Sequence, residues 1–277
     1  MLHPPSPVRA YDASNPRRRE RALEDLATGF ARWRLAWALA RGDITHRYRG
    51  SVLGPLWLTI STAVMLASLG FLYAKLFGME VGDYLPWLAA SLIIWGMIAQ
   101  VTTDATACLT SVEGVIRQMP LPYTVHALRV VFRNAVIAAH NLPLIAVVFA
   151  IYGVAPGWGV LLALPGLLII AVGGFASSFL LGMLCARFRD IPPIVGSVMQ
   201  LAFFVSPVMW KPDMVGEWAP LMPLNPFFAV METVRGPLMG GAGSLLVWVM
   251  AVIWTALLVA VSWALFVRFR GRIAFWV

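Results

Sequence analysis

The sequence predicts an all-α membrane protein: six transmembrane helices, an N-terminal interfacial helix, and short re-entrant or interfacial helices before the last span. Three observations predict it. Hydrophobic residues make up 60% of the chain and charged residues 12%, with a mean hydropathy of +0.79. A water-soluble domain usually carries about 25% charged residues, so there is too little polar surface here to coat a soluble globule. Apolar runs recur at the length, roughly 20 residues, that a helix needs to cross a bilayer core. The basic residues sit between those runs and fall almost entirely on one side of them.

The arm, residues 1–51, comes first. Residues 1–16 contain Pro4, Pro5, Pro7 and Pro16 and read as extended or disordered. From Arg17 the pattern turns helical, and Gly29 is expected to interrupt it. A second helix then carries Phe30, Trp33, Trp37, Ile44 and Tyr48 at spacings of three, four or seven, with Arg32, Arg34, Arg41, Arg47 and Arg49 among and after them. Aromatics interleaved with arginines mark a helix lying in a membrane interface. No cleavable signal peptide is expected, since the first apolar run starts near Val52 and is long enough to span.

The membrane domain, residues 52–277, follows, with spans expected near 53–76, 87–109, 130–153, 160–186, 192–210 and 245–267. The fifth is the shortest, because Pro192, Pro193 and Pro207 crowd its ends. Between the fifth and sixth, residues 211–243 are too apolar for a solvated loop, while Pro220, Pro223 and Pro226 forbid one continuous helix. Short re-entrant or interfacial helices on the external side suit that stretch.

Arginine placement sets the topology. Ten basic residues lie in the leader up to Arg49. Arg117, Arg129 and Arg133 belong to the second-to-third loop, Arg187 and Arg189 to the fourth-to-fifth, and Arg268, Arg270 and Arg272 to the tail. Only Lys75, Lys211 and Arg235 fall on the other side. Positive residues are retained on the cytoplasmic face, so both termini are expected there, in an inner (plasma) membrane.

Several function classes are excluded or disfavoured. A net charge of +8 would suggest nucleic acid in a soluble protein, but basic residues flanking apolar runs serve membrane topology instead. Cys108 and Cys185 give no disulfide framework. The four histidines lack metal-ligand spacing, and no catalytic constellation stands out. Neither lysine ends a Gly-Lys-Ser/Thr loop, so any ATP must be bound by another chain.

Polar groups inside the spans carry the remaining information. Asp104, with Gln100, Thr102, Thr103 and Thr106 around it, is expected to meet a structural partner or a cavity more than to relay protons. His140 and Asn141, ahead of Pro143, are expected to bond across helices or repair the proline break. Gly174, Ser178 and Gly182 form a small-residue stripe for close packing, within the chain or across a dimer.

Four segments in order resemble one family. These are Arg47-Tyr48-Arg49-Gly50-Ser51-Val52-Leu53-Gly54-Pro55-Leu56-Trp57; Phe188-Arg189-Asp190-Ile191-Pro192 followed by Phe203-Phe204-Val205-Ser206-Pro207-Val208; Leu224-Asn225-Pro226 with Glu232 and Arg235; and Arg272-Ile273-Ala274-Phe275-Trp276-Val277. Together they resemble type-two ABC exporter permeases of the polysaccharide family, whose members export lipid-linked O-antigen, capsular polysaccharide and teichoic acid. The resemblance implies a homodimer above two copies of a separate ABC ATPase, which would hold the ATP and Mg; no cofactor is expected on this chain itself. It also implies a coupling loop at 113–128, with Glu113, Arg117, Met119, Leu121 and Tyr123 as ATPase contacts, and Arg189 and Asp190 in the neighbouring loop. Glycan would pass between the two copies, since six helices around their own core leave little room for a polymer. Tyr73, Trp95, Phe175, Phe203, Phe204 and Trp210 are candidate conduit-lining residues, because sugar C–H faces stack on aromatic rings. A drug or lipid exporter of the same architecture, and a membrane acyl- or glycosyltransferase, are the competing expectations.

Overall fold

The computed structural model describes residues 17–50, 56–119, 121–241 and 243–277. The leader 1–16, the 51–55 part of the first family segment and Pro120 of the coupling loop lie outside the described residues. Among the described residues eleven α-helices run in chain order: α1 Arg18–Ala31, α2 Trp33–Arg47, α3 Leu56–Leu76, α4 Val81–Thr106, α5 Glu113–Gln118, α6 Tyr123–Tyr152, α7 Ala163–Arg187, α8 Ile191–Val205, α9 Pro226–Leu238, α10 Leu245–Phe269 and α11 Ile273–Trp276. Short 3-10 segments join them, and no strand occurs among the described residues. Among the described residues five helices, α3, α4, α6, α7 and α10, are long and apolar enough to cross a membrane, which makes this a multi-pass membrane protein.

The central post is α4. Its residues from Tyr84 to Trp95, and Ile98, are buried against α3, α6, α7, α8 and α9. α4 begins earlier than the sequence suggests, at Val81 rather than near Trp87. Pro86 lies so close to the helix start that only one main-chain bond, to the Gly82 carbonyl, is forfeited. Asp83 in the first turn also suits the positive end of the helix dipole.

α6 departs from expectation in the same direction. It starts at Tyr123, not near 130, and takes in the second half of the expected coupling loop. Pro122, with φ −58° and ψ 136°, is extended and fixes the boundary. At about 1.5 Å per residue its 30 residues extend well beyond a hydrocarbon core.

α8 has only 15 residues. Ser206 precedes Pro207 and is held extended (φ −89°, ψ 144°), which stops the helix. The chain nevertheless continues away from the Arg187–Asp190 turn. At Met209 its carbonyl accepts the Tyr84 hydroxyl at 2.5 Å, at the opposite end of α4 from Asp104.

Gly29 does not break the arm helix. α1 runs through it, and the break comes at Arg32. An added Cβ at Gly29 would lie 2.3 Å from Thr124 Cβ, so the glycine exists to let α1 approach α6. The stripe in α7 likewise packs within the chain: Gly174 lies against Val101 of α4, and Gly182 against Cys108 and Leu109.

Segment 211–243 splits in two. A 3-10 run, Pro212–Leu224, kinks at Gly216 (φ 55°), and α9 follows. Pro226 takes the first helical position, where its missing N–H costs nothing. The Asn225 side chain caps α9 by accepting from the Phe227 and Phe228 amides, and donates to Ser206 Oγ at 3.1 Å.

Candidate functional site

The basic ends of the helices converge on one layer, built by three sets of charged contacts. Asp25 on α1 is buried. It accepts the Tyr123 and Thr124 amides and the Thr124 hydroxyl at 2.8–3.2 Å, and pairs with Arg270 at 2.9 Å. The first turn of α6 would otherwise leave those amides without acceptors. One carboxylate thus ties the arm to α6 and to the end of α10.

The second set joins α2, α4 and α6. Arg129 and Arg133 are four residues apart and share a face of α6. Asp43 accepts both nitrogens of the Arg129 fork, and Arg133 at 2.9 Å. Arg133 also pairs with Asp104 at 2.9 Å, and Asn134 and Gln100 donate to Asp104 at 3.0 Å each. Acid and base alternate in a closed network, so Asp104 meets a structural partner. Burial acting alone raises the Asp43 carboxyl. The Arg129 and Arg133 guanidinium groups outweigh burial and hold it below the usual carboxylate range.

The third set fixes the coupling candidates. Val112 and Ile116 are buried beneath α5, while Met119 just beyond it is 51% exposed. Arg117 pairs with Glu113 at 2.7 Å and donates to the Val277 main-chain oxygen at 2.6 Å. Trp276 lies under the Arg187 guanidinium, whose carbon is 5.9 Å from the ring centre. The tail therefore bridges α5 to the α7–α8 turn, where Arg189 and Asp190 are exposed. Glu113 and Leu121 are half-buried. Tyr123 is turned inward, 6% exposed, with its ring on Phe266 and beneath Arg270. It belongs to the packed interior rather than to an open docking face, because α6 begins at that residue.

The residues expected at a membrane interface, Trp33, Trp37, Arg47 and Arg49, are exposed on or just beyond α2. Trp37 meets Phe132 of α6 edge-on at 5.8 Å. His140 Nδ1 lies 2.8 Å from the Val136 carbonyl. The cross-helix bond there comes from Thr59 of α3, which donates toward the His140 carbonyl and the Asn141 side chain.

The aromatic candidates divide. Trp95, buried in α4, packs against Phe203 and Phe227 at 5.8 and 5.6 Å, and Phe203 packs on the exposed Phe204. Trp210 donates to the Phe204 carbonyl. These four form one group. Tyr73 stands apart on α3 beside Phe77, and Phe175 contacts Phe30 of the arm at 5.4 Å, away from the group. None of the six lines the cavity of about 430 Å³ between α4, α7, α9 and α10, whose walls include Ile98, Phe227, Trp254 and Leu258.

Sequence reasoning noticed Glu232 and Arg235 as part of a motif, and Arg235 also as one of the few basic residues on the sparser side, but not their pairing. Arg235 is 1% exposed and bonds Glu232 at 2.5 Å, Ser91 Oγ at 2.9 Å and the Pro207 carbonyl at 2.6 Å, above the Trp87 ring. It binds α9 to α4 and to the end of α8. The partners of Asp25 and Asp43 were missed altogether. The available signal was two inward-spaced acids in an arginine-rich arm.

Comparison with known proteins adds the family. Two similar relatives are each named O-antigen export system permease protein RfbA. The Klebsiella pneumoniae protein is 24% identical over 204 residues, 72% of this chain and 78% of its own length. The Myxococcus xanthus protein is 23% identical over 201 residues, covering 72% and 77%. Residues 34–239, from the start of α2 to the end of α9, match the family model described as ABC-2 type transporter. The chain belongs to the ABC-2 type transporter family.

Proposed function

We propose that this chain is the membrane permease subunit of an ATP-driven exporter. It moves lipid-linked polysaccharide, of O-antigen or capsule type, from the cytoplasmic side across the inner membrane. The observation that carries this reading is the gathering of α5, the α7–α8 turn and α11 on one basic layer, in a chain whose relatives are named O-antigen export permeases.

In this reading the basic layer faces the cytoplasm, with both termini on that side. Two ATPase copies, holding ATP and Mg, dock beneath two permease copies. α8 counts as the sixth crossing, supported by the path of the chain from the Arg187 turn to the Tyr84 end of α4. Met119, Arg189 and Asp190 offer the exposed docking side chains. A push on α5 reaches α10 and α7 through Val277 and Trp276. Much of the lipid-ward surface of α3 and α8, including Trp57, Val64, Phe71, Leu201 and Phe204, is exposed in the single chain. A second copy covering these faces encloses a conduit, which Phe204 and Trp210 would border.

Deleting the gene is the test. Lipid-linked glycan should accumulate on the cytoplasmic face while surface polysaccharide disappears, and the wild-type gene should restore it. Unchanged surface polysaccharide contradicts the cargo and favours a drug or lipid. Polymer export that survives loss of every partner ATPase contradicts the mechanism.

A further inference from the structure

Charges in the arm are segregated. Between Arg32 and Arg49 the only acid is Asp43, and it faces α6, where Arg129 and Arg133 neutralise it. Arg32, Arg34, Arg41, Arg47 and Arg49 are all exposed, and none has an acidic partner among the described residues. Arg129, Arg133, Arg235 and Arg270, by contrast, each have a carboxylate. These five exposed guanidiniums are charges that this chain does not neutralise, and Arg34 and Arg41 fall together on one side of α2.

That surface has a defined shape. Ala36 and Ala40, fully buried, form the stripe that docks α2 on α6. Arg34 and Arg41, seven residues apart, share the opposite side of the helix. Trp33 and Trp37, four apart and 50% and 42% exposed, form a stripe beside them. A purely protein-facing or solvated basic helix has no need of two half-exposed tryptophans. Indole rings settle at headgroup level, and guanidinium forks bind phosphate oxygens in pairs.

We propose that the outer face of α2 is a binding surface for anionic phospholipid headgroups, with Arg34 and Arg41 at its centre, flanked by Trp33 and Trp37. The surface selects lipids with net negative charge over zwitterionic ones. α2 is clamped to α6 through Asp43, so headgroup binding also holds the arm against the helix that follows the coupling segment. This inference does not depend on the cargo.

The test is lipid retention by the full-length chain. Purified protein in mild detergent is equilibrated with equal amounts of phosphatidylglycerol and phosphatidylcholine, and the lipids retained are measured by mass spectrometry. The wild type should retain several-fold more phosphatidylglycerol, and raised salt should lower that preference. R32Q/R34Q/R41Q/R47Q/R49Q should bring the ratio near one, and R34Q/R41Q alone should lower it partly with an unchanged melting temperature. R268Q/R272Q, at the same end but off the arm, should leave the ratio as in wild type. Equal retention of the two lipids by wild type overturns the proposal. So does an undiminished preference in both arm variants, or an equal drop in the off-arm control. Loss of ATPase co-purification with the lipid preference intact also overturns it, and assigns the surface to an acidic protein partner instead.

Discussion

Asp43, Arg129, Arg133 and Asp104 hold three helices together because each charge is taken out of water only in the company of its opposite. Removing one member of a buried pair leaves the other uncompensated, at a cost of about 3–5 kcal/mol. The Arg133 and Asp104 side chains are 14% and 11% exposed, close to that regime. Asp104→Leu and Arg133→Leu should each lower the melting temperature in detergent markedly. The double variant should lose less than the sum, because the two side chains share one interaction. The Asp43 carboxyl is held below its ordinary value of 3.8, so its contribution is complete above that pH and fades as pH falls through the lower, folded value. Hydrogen-exchange protection over residues 33–47, corrected for the intrinsic pH dependence of amide exchange, should therefore be flat from pH 8 to about 5 and fall only in stronger acid, whereas Asp43→Asn should lower it at neutral pH. Asp104 was legible in the sequence as a charge inside an apolar run. Its partner was not, because nothing local to Asp104 says that a helix 29 residues on will bring Arg133 to it.

Among the elements, proline and glycine decided several boundaries, and their effect depends on what stands opposite. Pro122 and Pro207 end or start helices as their fixed backbone requires. Gly29, read as a breaker, is a contact point, since only a neighbouring helix reveals why a Cβ is forbidden there. Gly166 is a second such point: an added Cβ would lie 2.6 Å from the Thr233 carbonyl of α9. Gly166→Val should force α7 and α9 apart and cost about 1–3 kcal/mol, measured as a drop in the unfolding midpoint. Gly173→Ala, with open space around it, should not. α5 makes a functional prediction. Met119 is exposed and anchors nothing in the interior. Met119→Asp should therefore lower export several-fold while membrane levels stay at wild type; equal loss of both would mean misfolding. The five membrane-length helices were readable as apolar runs, and a helix over the second half of the arm as well. The shortness of α8 and the burial of Tyr123 were not, because both follow from where α6 and Pro207 place the chain in three dimensions.

At the scale of the whole molecule, charge asymmetry and tertiary structure coincide. The arm, α5, the α7–α8 turn and the tail are far apart in sequence, yet salt bridges and ring contacts unite them in one layer. The segments that carry Lys211, Trp218 and Arg235 lie at the other end. Single cysteines replacing Arg34, Arg189 or Trp218, in a chain without Cys108 and Cys185, should react with an impermeant thiol reagent in intact cells only at position 218. The most direct measurement of the central claim is translocation in proteoliposomes containing the purified chain, its ABC ATPase and lipid-linked polysaccharide, followed by loss of glycan accessibility from the ATPase side. The account predicts loss that requires ATP and both proteins, and that Met119→Asp slows it several-fold without preventing hydrolysis by the isolated ATPase. Movement of the glycan by the chain alone, or without ATP, would contradict it.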